Sequence, residues 1–171
     1  RGLAATWWAQ HATYAQSGTG MSAMVRRHFG CVGRDQHEIR HRAHQLTRSE
    51  GGSTAEARLA SALMVADQKI DFGDVSLQFT SSRDRYVGLG RLLRNMATRR
   101  PQVIVVDDAQ WGADMCQAVV HLMSLKLPLL IIMTWRGSVA SMNRELRQQG
   151  ASHDALRKLI QDEAECHELK P

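Results

Sequence analysis

Arg100-Pro101-Gln102-Val103-Ile104-Val105-Val106-Asp107-Asp108-Ala109-Gln110-Trp111 is the stretch that decides the fold of this 171-residue chain. Its uninterrupted branched apolar run at 103–106 is typical of a strand buried on both faces in a parallel sheet. Two aspartates follow at the carboxyl end of this strand, the edge where open α/β sheets bind their ligands. Each ionised carboxylate needs water, a cationic partner or a metal ion. The pattern predicts a Mg²⁺ site beside a nucleotide phosphate, with an acidic loop after an ordinary strand as the alternative.

A second buried strand is predicted at 129–134, after a helix over 113–125 whose apolar residues recur with helical spacing. A strand, a helix and a strand in this order form a right-handed βαβ unit with parallel strands. The second strand runs into Thr134 and Arg136, which supply a hydroxyl and a guanidinium. Because the carboxyl ends of parallel strands lie at one edge of a sheet, we expect these two side chains to lie near the two aspartates.

The combination of these segments resembles a known ATPase family. The stretch 103–108 resembles the Walker B strand of P-loop ATPases, and Asp107-Asp108-Ala109-Gln110-Trp111-Gly112-Ala113-Asp114 resembles the AAA-like signal-transduction ATPases of the STAND group. Thr134-Trp135-Arg136 resembles the end of that family's sensor strand, and the likeness extends from Arg83 to Arg136. It implies an α/β three-layer P-loop NTPase fold with a parallel sheet. It also implies a bacterial signalling regulator whose other domains are protein kinase or cyclase domains or helical repeats.

The same resemblance implies a role for each residue at the strand ends. Asp107 would hold Mg²⁺ beside ATP through the water shell of the ion, and Asp108 stands where related ATPases carry the acid that orients the attacking water. Thr134 or Arg136 would sense the γ-phosphate. The family carries a longer glutamate at the position of Asp108. An acid shorter by one methylene suits slow switching more than fast turnover.

The sequence departs from a working ATPase because it contains no Walker A loop. Such a loop needs glycines followed by Lys and Ser/Thr, and none of the four lysines follows a glycine. Two interpretations stay open. In the first, the chain is part of a longer ATPase whose P-loop lies upstream of Arg1, and ATPase activity belongs to the full-length parent. In the second, it is a non-catalytic interaction module on a degenerate ATPase fold. Residues 1–171 alone are expected to bind ATP weakly or not at all and not to hydrolyse it.

The whole chain is interpreted as one partial AAA-like ATPase domain, with the Walker B to sensor region at 101–136 and a helical insert at about 20–98. Ser53 and Glu56 predict a capping box within this insert. The P-loop strand is expected between the Walker B and sensor strands, so its absence would expose strand edges and favour self-association. Three further elements are predicted, namely strands at 4–10 and 165–169 and a helix at 154–163.

Charge and cysteine usage restrict the class of partner and the compartment. Residues 1–100 carry 15 Lys/Arg against 8 Asp/Glu, and residues 101–171 carry 7 against 9. The arginines are scattered with little aromatic interleaving, so a solvated helical surface is predicted and nucleic-acid binding is not. The three cysteines are widely spaced and suit a reducing compartment. With no signal peptide and no apolar run near 20 residues, we predict a cytoplasmic protein without a membrane segment.

Three histidines, His37, His41 and His44, follow i, i+4, i+7 spacing and so share one helical face. Two histidines at i, i+4 can bind zinc. The surrounding sequence is polar and rich in arginine, with nothing that marks an organised second shell around a metal. An exposed helix face is therefore the favoured interpretation, and a metal site is the alternative.

Overall fold

The computed structural model describes residues 4–10, 20–65 and 68–138, and beyond these residues 141, 144, 156–157, 160–162 and 165–167. The architecture is mixed α/β, with a parallel three-stranded sheet and packed helices. The strands are β1 (Ala5–Gln10), β2 (Ile70–Asp71), β3 (Ser76–Leu77), β4 (Gln102–Asp107) and β5 (Leu129–Met133). The helices are α1 (Gly20–His28), α2 (Gln36–Ser49), α3 (Thr54–Met64), α4 (Ser82–Ala97) and α5 (Ala113–Ser124), with a short 3₁₀ helix at Ala109–Trp111.

The parallel sheet has the strand order β1-β4-β5, so the strand that carries the aspartates lies in the middle. Trp7 lies opposite Ile104, which lies opposite Ile131 on the other side. The three strands predicted at 4–10, 103–107 and 129–134 are thus confirmed, and so is their parallel direction. The expectation that a P-loop strand separates the Walker B and sensor strands is wrong. β4 and β5 are hydrogen-bonded to each other, and paired strands are only about 4.8 Å apart.

The two faces of the sheet differ in their surroundings. Trp7 and Ile104 are fully buried on one face, within the core that the helices complete. On the opposite face, Trp8, Leu130 and Ile132 are 48%, 57% and 45% exposed. Successive side chains of a strand point to opposite faces, so this alternation follows from the register alone. Within the described ranges, the sheet therefore presents a row of apolar side chains that the helices leave uncovered.

The region 20–98, named here the helical insert, contains the helices α1 to α4 together with the β2–β3 hairpin, which the sequence did not predict. Asp35 caps α2 in a complete capping box with Glu38. Ser53 caps α3 by accepting the backbone N–H of Glu56, but the Glu56 carboxylate bonds to Arg99 instead of returning to Ser53. The predicted capping box at Ser53 is therefore only half formed, because a tertiary partner engages its glutamate.

Two arginines in the turn before β4 join the insert to the sheet. Arg99 donates to both carboxylate oxygens of Glu56, at 2.7 and 3.3 Å, and Glu56 is 7% exposed. Arg100 forms an ion pair with Glu50 at the end of α2. A bidentate pair between a guanidinium and a carboxylate fixes orientation as well as distance. The α2–α3 turn is therefore held directly against the start of the strand that carries the candidate site.

The carboxyl-terminal predictions fall largely outside the described residues. Of the helix predicted at 154–163, residues 156–157 and 160–162 are helical and the others lie outside the description. Of the strand predicted at 165–169, residues 165–167 have no regular secondary structure and the last two are outside the description. Among the helices that are described, none is long and apolar enough to cross a membrane.

Candidate functional site

The site lies at the carboxyl edge of the sheet, where β4 and β5 end side by side. Thr134 joins the two strand ends, since its hydroxyl donates to Asp107 Oδ1 at 2.6 Å and accepts the backbone N–H of Asp108 at 3.0 Å. The backbone of Thr134 continues the ladder, donating to Val106 and accepting from Ala109. The predicted meeting of the two strand ends is therefore confirmed, and one threonine makes most of the contacts.

Asp108 turns the chain out of the strand in a left-handed conformation, with φ 53° and ψ 48°. Aspartate tolerates this conformation better than most residues, because its short polar side chain can bond locally. The carboxylate of Asp108 pairs with Arg136, whose Nε and Nη2 donate to its two oxygens at 2.7 Å each. This hydrogen-bonded pairing with Asp108 raises the pKa of Arg136. The two residues therefore form a bidentate pair across the strand ends.

The two partners of this pair differ in exposure. The side chain of Asp108 is 17% exposed, whereas that of Arg136 is 77% exposed. An exposed arginine loses little hydration when it exchanges one oxyanion partner for another, and its planar fork suits phosphate as well as carboxylate. The arrangement can thus hold the acid in place and can also offer a guanidinium to an incoming anionic group.

Gln110 is a site residue that sequence reasoning missed. It is 8% exposed, and its Nε2 lies 3.5 Å from Asp108 Oδ1, at the long limit of a hydrogen bond. Its Oε1 is buried and makes no hydrogen bond within the described residues. The only sequence signal was a polar residue two positions after Asp108. The left-handed turn at Asp108 brings it back to the site, and no periodicity predicts such a turn.

The oxygen donors of the site fit Mg²⁺ as a shared ligand. Asp107 contributes a carboxylate whose Oδ1 is held by Thr134, while its Oδ2 makes no hydrogen bond to any residue described. The described residues contain no group of three or more His, Cys, Asp or Glu that could hold a metal ion. Mg²⁺ in nucleotide sites uses one or two carboxylates and completes its octahedron with water and phosphate oxygens. The donor set therefore suits an ion that arrives with a nucleotide.

The three histidines of α2 are all exposed, as their favoured interpretation predicted. His41 and His44 line a shallow cavity of about 400 Å³ together with Arg48, and His37 is not part of its lining. The three rings do not form a metal-binding group in the described structure. The alternative of a three-histidine metal site is therefore not supported by their positions.

Comparison of the chain with models of known protein families, with curated proteins and with solved structures finds no match. The functional argument therefore depends on the residues that meet at the end of the sheet and on the contacts between them.

Proposed function

We propose that this chain is the Walker B and sensor part of an ATP-binding signal-transduction ATPase of the STAND type, acting as a nucleotide-dependent switch in its full-length parent. One observation carries the proposal. Asp107, Asp108, Thr134 and Arg136 meet at the carboxyl edge of two neighbouring parallel strands, with direct bonds from Thr134 to Asp107 and from Arg136 to Asp108. Ligands of open α/β sheets bind at this edge.

Asp107 and Thr134 act as one unit in this proposal. The Thr134 hydroxyl fixes one carboxylate oxygen of Asp107, so the other oxygen is held in place to accept a hydrogen bond from magnesium-bound water. A Mg²⁺ ion held there would supply positive charge against the phosphate oxygens. Because Thr134 also receives the N–H of Asp108, any shift of its hydroxyl changes the position of both acids. Thr134 is then the residue through which the state of the nucleotide reaches the strand ends.

The pair between Asp108 and Arg136 represents the resting state of the switch. Both oxygens of Asp108 are engaged by the guanidinium, so the acid is not free to orient a water molecule. A γ-phosphate would compete for Arg136 because phosphate accepts the same bidentate pattern. Arg136 would then exchange the Asp108 carboxylate for the γ-phosphate, and the same exchange would release Asp108. Such an exchange of partners suits a slow switch.

The same ion pair favours a second candidate function, a non-catalytic interaction module on a degenerate ATPase fold. In such a module Asp108 would serve only to link the end of β4 to the end of β5, and its ion pair with Arg136 makes this link. The two candidates differ in what they require of Asp107. The switch needs its carboxylate for Mg-ATP, whereas the module needs only its hydrogen bond from Thr134.

Nucleotide binding by the full-length natural polypeptide that contains residues 1–171 separates the two candidates. We expect Asp107→Asn, which keeps the acceptor for Thr134, to lower Mg-ATP affinity at least about tenfold, as loss of a metal-linked carboxylate does. Asp74→Asn removes an exposed carboxylate of the β2–β3 turn and is the matched control. Equal Mg-ATP binding and hydrolysis by the wild type and Asp107→Asn would refute the switch. Absence of any Mg-ATP binding in the full-length wild type would favour the module.

A further inference from the structure

The helical insert carries a groove that takes no part in the site described above. Two shallow cavities, of about 400 and 250 Å³, lie along the carboxyl-terminal half of α2 and the turn into α3. They share His44 and Arg48 in their linings, so they form one continuous groove, named here the α2–α3 groove. The first is lined by His41, His44, Gln45, Arg48 and Ser49, and the second by His44, Arg48, Gly52, Ser53 and Thr54.

Every side chain that lines the α2–α3 groove carries an N–H or O–H group, and none is a carboxylate. Within the described residues, the guanidinium of Arg48 and the rings of His41 and His44 make no hydrogen bond or ion pair. The nearest carboxylates along the chain, Glu50 and Glu56, are engaged by arginines of the turn before β4. The groove therefore presents the guanidinium of Arg48 and two imidazole rings without an acceptor among the described residues, whereas the Ser49 hydroxyl donates to the Leu46 carbonyl oxygen.

A buried hydroxyl lies next to this groove. Thr47 is 5% exposed, and its Oγ1 has no hydrogen-bond partner among the described residues. Thr47 packs directly beneath Gly52, since a Cβ built at Gly52 would lie 2.5 Å from Thr47 Cγ2. A buried hydroxyl without a partner loses its hydrogen bonds to water and gains none in return. Gly52 therefore faces the methyl group of Thr47, and any side chain at this point of the groove would clash with it.

We propose that the α2–α3 groove binds a phosphate group, as inorganic phosphate or as a phosphate monoester. Arg48 presents the planar fork that recognises a tetrahedral oxyanion, and the imidazoles, amide and hydroxyls of the lining add N–H and O–H groups around it. The lining itself contains no carboxylate, and the nearby Glu56 carboxylate is paired with Arg99, which reduces its repulsion of an anion. The excess of basic residues in the first 100 positions, 15 Lys/Arg against 8 Asp/Glu, raises the local concentration of anions. This inference is independent of the proposed ATPase function.

The proposal is tested by ¹H–¹⁵N NMR titration of the 171-residue chain at constant ionic strength, with sodium phosphate in one arm and phenyl phosphate in the other. We expect saturable shifts confined to residues 41–54. Arg48→Gln should weaken binding at least about fivefold, as loss of a charge-assisted bidentate contact does. Arg48→Lys keeps the positive charge but loses the planar guanidinium. Its phosphate affinity should therefore lie between those of the wild type and Arg48→Gln. Arg94→Gln removes the same charge from an exposed position of α4 and should bind phosphate as the wild type does.

The two arms also identify the source of the phosphate. Tighter binding of phosphate assigns the groove to the free anion, and tighter binding of phenyl phosphate assigns it to an ester. Shifts that stay linear and match those produced by sodium chloride would overturn the proposal. An equal loss of affinity in Arg94→Gln would also overturn it, because general charge screening would then explain the response. Chemical-shift changes with an oligonucleotide, but none with phosphate, would also overturn the proposal. Arg48 is exposed, so its variants are expected to remain folded, which circular dichroism verifies.

Discussion

Gly52→Ala tests whether the α2–α3 turn is locked against the sheet. A methyl group at Gly52 would lie 2.5 Å from Glu56 Oε2, 2.5 Å from Thr47 Cγ2 and 3.1 Å from the Thr47 carbonyl oxygen. These distances are far inside the ordinary contact range of about 3.5–4.0 Å. Glu56 Oε2 is the oxygen that accepts Arg99 Nη2 at 2.7 Å. The substitution must therefore displace the buried Glu56 carboxylate from its partner, distort the α2 end, or do both.

The expected loss of stability follows from these contacts. Overpacking of a tight position costs about 1–3 kcal/mol. Breaking a fully buried ion pair costs about 3–5 kcal/mol, but the Arg99 side chain is 26% exposed, so we take roughly half of that value. Replacing glycine by alanine restricts the unfolded chain and offsets about 0.4–1 kcal/mol. The clash exceeds the entropic gain, and we expect a net destabilisation of about 2–4 kcal/mol.

Urea unfolding followed by circular dichroism measures this loss as a lower midpoint. Gly51→Ala is the matched control, because Gly51 has φ +79° and open space around its Cβ position. It should lose only the roughly 1–2 kcal/mol of a left-handed alanine. In a Glu56→Gln background the ion pair is already lost, so Gly52→Ala should cost less there than in the wild type. If Gly52→Ala is no more destabilising than Gly51→Ala, the proposed lock between insert and sheet is wrong.

Three further outcomes are expected. Burial lowers the pKa of His28 from 6.5 to about 4, so the unfolded chain binds this proton more readily. Stability is then complete above pH 6.5 and falls by up to about 3 kcal/mol as the pH is lowered to 4, a loss that His28→Phe should remove in urea unfolding. Burial raises the pKa of Cys116 to about 12, whereas Cys166 is exposed. Iodoacetamide at neutral pH should therefore label Cys166 alone of these two in the native chain, and native labelling of Cys116 would contradict its burial. The uncovered side chains of Leu130 and Ile132 predict self-association, which light scattering should detect and the double threonine variant should reduce; a wild-type chain that stays monomeric at high concentration would show this expectation to be wrong.

The caps of the insert show where local sequence patterns succeed and where they fail. Ser53 accepts the N–H of Glu56 as its position predicts, because that bond needs only backbone geometry within one turn. The return bond from Glu56 depends on what else its carboxylate can reach, and Arg99 lies 43 residues away in sequence. The complete box formed instead at Asp35, and the one ion pair that its Glu38 makes among the described residues is with the nearby Arg34. The contact between Glu56 and Arg99 makes the difference between the two caps, and no short window of sequence contains both residues.

The order of the strands was another question that the sequence left open. Apolar runs predicted β4 and β5, and the paired Trp7 and Trp8 together with the family resemblance predicted β1, but neither predicted which strand is the neighbour of which. The resemblance led to an intervening P-loop strand, whereas β4 pairs directly with β5. The sequence did not predict the β2–β3 hairpin, for a different reason. Each of its strands has two residues, which is too short for any periodicity to appear.

At the candidate site, too, local sequence patterns predicted one part of the arrangement and long-range packing decided the other. The sequence by itself determined that Asp107, Asp108, Thr134 and Arg136 lie at one edge of a sheet, because buried apolar runs end there and parallel strands share their carboxyl edge. Only the tertiary structure decided the partners of the four residues: Thr134 holds Asp107, and Arg136 holds both oxygens of Asp108. Periodicity places a side chain on a face or at an edge of its own element. Hydrogen bonds also require the separation and register of two elements, and these are set by long-range packing and by one left-handed residue at position 108.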